Sequence, residues 1–159
     1  MRRFVLLFML LAGCASAREM LPPDVASSIP EGACKVVLES DLDQHSLYRQ
    51  VARSLQESGF VLEASDPVAL MLQTDWTDTY AQEASRTGQI ALTSNIIRIM
   101  VVVDTTDGRS LAIWSGQWRN LPAQGQACWT GSDSYRGRAA FASIVLETLK
   151  VPHVGIRYE

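Results

Sequence analysis

Chemistry-bearing side chains are scarce in this chain. Its 159 residues include three cysteines and two histidines, which leaves little material for metal chemistry. Charged residues make up 19%, and 14 Lys+Arg against 17 Asp+Glu give a net charge of −3, a balance that argues against a protein that embraces nucleic acid. No G-x-S-x-G elbow is present; Ser115, in Ile113-Trp114-Ser115-Gly116, falls inside an expected strand. The glycines are scattered and form no phosphate-cradling loop. Cysteines at 14, 34 and 128 are too widely spaced for a CxxC redox motif. No apolar run approaches the ~20 residues needed to cross a bilayer core. Together these gaps point away from an enzyme and call for no metal and no cofactor. What is present is ample apolar material, 47% of the chain, enough for one packed domain.

The start of the chain reads as an address. Met1-Arg2-Arg3 is a basic n-region, and Phe4 to Ala12 contains no polar side chain. That run fits a secretory signal peptide, residues 1–13. Leu11-Ala12-Gly13-Cys14 matches the bacterial lipobox at every position, which makes Cys14 the expected lipidation site. The alternative is an ordinary small-residue site, Ala15-Ser16-Ala17, cut before Arg18. An acylated Cys14 would anchor the chain to a membrane by lipid alone. Ala15 after the cysteine resembles the enteric signal for transfer to the outer membrane. Loss of residues 1–13 removes two arginines, which shifts the balance from 14 against 17 to 12 against 17. Cys34 and Cys128 remain as an even pair in an oxidising compartment, and a disulfide between them is expected.

Beyond the anchor, residues 14–33 read as a tether, because Pro22, Pro23 and Pro30 argue against a helix. Residues 34–159 then form a single α+β domain. Cys34 to Glu39 is a short strand. Ser40 or Asp43 caps a helix whose Leu47, Val51 and Leu55 share one face, and Gly59 stands at its C-terminal end. Val68 to Thr74 alternates as a strand, and Asp75 to Thr87 is a polar loop. Gln89 to Asp104 is a long strand with Ile97, Ile99, Val101 and Val103 on one face. Asp107-Gly108 supplies hairpin turn chemistry, and Leu111 to Trp118 runs back. Arg119 to Asp133 is a loop, after which Ser132 or Asp133 caps a second helix reaching Leu149. The architecture expected is two helices on one face of a mostly antiparallel four- to five-stranded sheet.

Asp41, Asp43 and His45 read as a capped, solvated helix start, and His153 as a surface residue. Asp104 and Asp107 flank the hairpin turn, where Asp serves turn geometry. The aromatic residues are the more informative set. Trp114 and Trp118 share one sheet face, as either core packing under a helix or a contact surface. With Arg98 and Trp129 they are the candidate partner-contact residues, because Trp beside Arg is common at interface anchors.

The order of these features resembles small bacterial outer-membrane lipoproteins of the lipopolysaccharide-assembly (LptE-like) type. The shared pattern is the lipobox cysteine, the strand Lys35 to Glu39, the helix ending before Gly59-Phe60 and the strand Val68 to Thr74. A polar stretch ending in Thr87-Gly88-Gln89, the long hairpin turning at Asp107-Gly108 and a C-terminal helix complete it. The resemblance implies a plug within an outer-membrane translocon barrel and a role in lipopolysaccharide insertion. The expected function is therefore a lipid-anchored accessory protein at the outer membrane, facing the periplasm. It would act by contact with an envelope protein or with lipid, lipopolysaccharide included. The alternatives are a small-ligand-binding lipoprotein, soluble in the periplasm if cut before Arg18, or an envelope enzyme.

Overall fold

In chain order the elements are α1 (Pro23–Ser28), β1 (Val36–Ser40), α2 (Gln44–Glu57), β2 (Leu62–Asp66), β3 (Met71–Thr74), β4 (Thr77–Asp78) and α3 (Thr79–Thr87). They continue with β5 (Ile96–Thr106), β6 (Arg109–Asn120), β7 (Ala123–Gln126), α4 (Tyr135–Thr148) and β8 (Gly155–Tyr158). The computed structural model describes residues 21–91, 93–130 and 135–159. The class is α+β, as expected, with more elements than the sequence reading foresaw: four helices and eight strands among the described residues.

All strands pair antiparallel, in the order β2-β3-β5-β6-β1-β8, with β4 added to β5 and β7 to β6. The hairpin β5–β6 is the centre. Its two-residue turn has Asp107 at φ 52° and Gly108 at φ 79°, with Thr106 paired to Arg109. Positive φ at both positions is the type I′ geometry, whose twist matches that of the flanking strands. Ile97, Ile99, Val101 and Val103 are buried on one face, as their alternation predicted. Val36, Leu38, Ala112 and Trp114 complete that face.

Two helices cover it. Asp43, not Ser40, caps α2, its carboxylate accepting the Ser46 amide at 2.9 Å. Leu47, Tyr48, Val51 and Leu55 are buried. The helix closes with a paired C-terminal motif: Gly59 donates to the Gln56 carbonyl, and Phe60 to that of Leu55. Gly59 adopts φ 90°, which a Cβ would strain. Unlike α2, α4 is buried nearly all round, from Ala139 through Val145. A helix apolar on all sides needs cover on all sides. The cap expected for α4 at Ser132 or Asp133 lies outside the described residues.

The expected tether is corrected over residues 21–33. Leu21, Ala26, Ile29 and Ala33 are buried in the core. Pro22 and Pro23 do not break a helix here; they begin α1, where a missing amide costs nothing. The expected strand Val68 to Thr74 is shorter. Asp66 accepts the amides of Val68 and Ala69 at 2.8 and 2.9 Å, and the turn runs through Leu70 at φ 52°. The expected loop Asp75 to Thr87 is mostly α3, none of whose residues is fully buried. Its stop and start are nonetheless local: the Asp78 side chain accepts from Tyr80 and Ala81, and Gly88 closes it at φ 70°. The long strand starts at Ile96, not Gln89, and the loop Arg119 to Asp133 contains β7.

Cys34 and Cys128 are disulfide-bonded, 94 positions apart in sequence. The bridge does not act alone. Gly32 donates to the Trp129 carbonyl and Trp129 to that of Ala33, while Cys34 and Lys35 both donate to Glu159. The start of the domain, a late loop and the C-terminus therefore meet at one junction. On the chain-entropy account a loop this long is stabilised by ~4–5 kcal/mol, and measured values are usually lower.

Two outcomes follow from this packing. Cys34→Ser is expected to cost about 2–4 kcal/mol in denaturant unfolding under oxidising conditions, and the wild-type chain should lose the same amount on reduction. At Gly116 a Cβ would meet the Arg98 carbonyl oxygen and Ile144 Cδ1, each at 2.6 Å. Backbone cannot yield there, so Gly116→Ala should cost about 1–3 kcal/mol by the same measurement.

Candidate contact surface

Among the described residues no helix packs on the opposite face of the sheet. Strand parity assigns its residues: Ile96, Arg98, Met100 and Val102 of β5 oppose Arg119, Gln117, Ser115 and Ile113 of β6. Met71 and Gln73 of β3 extend it on one side; on the other stand Glu39 of β1 and Val37, which is buried at 1% exposure. Its middle is apolar. Met71 is 51% exposed and Val102 is 37% exposed.

Charged clusters flank this strip. On the β1 side, Arg157 pairs with Glu39 at 2.6 Å and with Glu159 at 3.0 Å, and Arg109 reaches Glu39 at 3.4 Å. At the far end of β5 and β6 the cluster is built differently. Trp76 follows β3, and two guanidinium groups lie over its ring: Arg98 at 4.8 Å and Arg119 at 4.5 Å from the centroid. Glu63, in β2, takes Arg98 at 3.0 Å and accepts a hydrogen bond from Gln73 at 2.8 Å. Arg98 Nε is buried without a hydrogen-bond partner. Arg119 is exposed and has no carboxylate partner among the described residues. The arrangement offers a fixed cation beside an apolar strip, a pairing suited to an anionic group attached to hydrocarbon or apolar side chains.

Of the candidate contact residues, Arg98 lies on this open face, but the tryptophans do not. Trp114 is fully buried; it pairs with Val101 on the helix-covered side. Trp129 is 1% exposed, with Phe141 at 6.4 Å and the Arg138 guanidinium 4.6 Å over its ring. Neither can anchor a partner. Trp118 is half-buried against the core, and its indole lies across Gly125 of β7, where a Cβ would meet it at 3.0 Å. Of the two readings left open for the Trp114 face, core packing under a helix is the one found: α4 fills it. Trp76 is the exposed-side tryptophan, brought to Arg98 and Arg119 by a register that the polar sequence around it does not announce. Glu63 was likewise unmarked.

Asp43, Asp104 and His153 are engaged locally. Asp43 caps α2, and its carboxyl is held below the ordinary Asp range mainly by the Ser46 side-chain and backbone hydrogen bonds. Asp104 accepts from the Thr105 amide at 2.7 Å, Asp107 sits in the turn, and His153 Nδ1 lies 2.7 Å from the Val151 carbonyl. Among the described residues no group of three or more His, Cys, Asp or Glu side chains could hold a metal ion, and no helix is long and apolar enough to cross a membrane.

No family model matches the chain, and no curated protein matches it. Among solved structures it is similar to a DUF4468 family protein from Bacteroides ovatus, with a TM-score of 0.41 and 12% identity, covering 80% of this chain and 94% of that one.

The Trp76 cluster yields a stability test. Trp76→Ala removes the shared ring from two guanidinium groups and should cost about 1–2 kcal/mol in denaturant unfolding. Arg119→Ala, with an exposed side chain, should cost under about 1 kcal/mol.

Proposed function

We propose that this chain is an exported lipoprotein of the bacterial outer membrane, facing the periplasm, which acts in envelope assembly by contact and not by catalysis. The observation that carries the reading is the Cys34–Cys128 disulfide. Such a bond persists in an oxidising compartment, and the lipobox sequence ending at Cys14 supplies the route there. Lipid on Cys14 is the anchor. The contact surface is the helix-free sheet face, with Arg98, Arg119 and Trp76 at one end of the Met71, Met100, Val102 and Ile113 strip. Its partner is an envelope protein or an anionic lipid, and within that class lipopolysaccharide transport is the reading that the order of elements favours.

Fractionation and site-specific photo-crosslinking test this. Wild-type chain should sediment with outer membrane, and Cys14→Ser should move to the soluble periplasmic fraction. A photo-crosslinking residue at Met71 or Arg119 should capture one defined protein or lipopolysaccharide, while the same residue at Glu57, on the helix side, should capture neither. Soluble wild-type chain would remove the anchor. Equal capture from Glu57 and Met71 would remove the contact face.

A further inference from the structure

The end of α2, α3 and α4 enclose a cleft on the other side of the sheet. Its volume is about 350 Å³, and Phe60, Tyr80, Glu83, Leu146, Glu147 and Lys150 line most of it. That is within the ~300–1,000 Å³ span of ligand clefts. Its wall is mainly apolar. The cations nearby are already engaged at the C-terminal end of α2. Arg86 donates to the Ser58 carbonyl at 2.7 Å, and Lys150 to the Ser58 hydroxyl at 2.9 Å. A helix C-terminus favours positive charge, so these two groups complete α2.

The carboxylates are less well matched. The Glu147 side chain is 12% exposed. Lys150 takes its Oε1 at 2.7 Å, while Oε2 is buried with no hydrogen-bond partner. An unpaired buried acceptor is costly, more so on a charged group. Glu83, on the α3 lip, has no ion pair among the described residues. The α3 wall buries none of its residues and is tied to α2 through Gln82, which donates to the Gly59 carbonyl at 2.8 Å, and through Arg86. A ligand that reaches Oε2 must displace a cleft wall, and of the three helices α3 is the one with no buried residue.

We infer that this cleft binds a small primary amine on an apolar body. The ammonium sits at Glu147 Oε2 with Glu83 across from it, and the hydrocarbon lies on Phe60 and Leu146. A carboxylate of the same shape would face Glu83, which has no ion pair among the described residues, and a Glu147 Oε2 that offers it no donor, and a neutral alcohol would lack the charge-assisted bond. The site depends neither on the proposed anchor nor on the open sheet face.

Calorimetric titration of the full chain in detergent with phenethylamine, phenethyl alcohol and hydrocinnamate tests it. The amine should bind about tenfold more tightly than the alcohol, and the acid should not bind measurably. Glu147→Gln should weaken the amine about tenfold and leave the alcohol unchanged. Leu146→Trp, which fills the cleft, should abolish both. If Glu147→Gln does not fold, Glu83→Gln on the exposed lip should still weaken the amine several-fold. No amine binding, equal binding of amine and acid, or an unchanged amine affinity in the acidic-residue variant that folds would each overturn the inference.

Discussion

The pairing of β5 with β6 is the constraint on which the rest depends. Eleven residue pairs, from Ile96–Arg119 to Thr106–Arg109, hang from the two-residue turn at Asp107-Gly108. Side chains alternate with a period of two, so a slip of one residue would turn Ile97, Ile99, Val101 and Val103 out to solvent. Every other strand of the sheet except β2 and β8 pairs directly with one of these two. Helix α4 then presses on β6 where Gly116 leaves room for Ile144. Turn geometry, register and helix seating are thus one linked choice.

That linkage explains which parts of the fold were legible. Helix α2 announced itself through Asp43, a single apolar face and Gly59, all local features. The long hairpin did so through alternation and Asp-Gly. In contrast, α3 buries no residue fully and its face is built largely from polar side chains, so it reads as a loop, and only Asp78 and Gly88 mark its ends. For α1 the prolines misled, because their effect reverses between a helix interior and its first turn. Short strands such as β4 and β7 exist only because β5 and β6 offer them an edge.

The surface was legible in part for the same reason. Once Asp107-Gly108 is taken as a two-residue turn, Trp114 must stand opposite Val101, and its burial follows from the apolar face they share. Arg98 then falls on the other face. No comparable rule brings Trp76 to Arg98 and Arg119, since that meeting depends on how β3 leaves the sheet. Burial of Trp129 depends on residues 21–33 folding back, with Ala33 accepting its amide at 2.7 Å.

The burial of Leu21, 3% exposed, also sets a length. On the proposed anchor, the lipid-bearing Cys14 is seven residues before it, and a fully extended chain gains at most ~3.3–3.6 Å per residue. The leash is therefore no longer than about 25 Å. If that proposed anchor holds, a domain on so short a leash would not range through the periplasm. It would be confined to a layer against the inner surface of the outer membrane, and whatever it met would have to come to that surface or already lie within it.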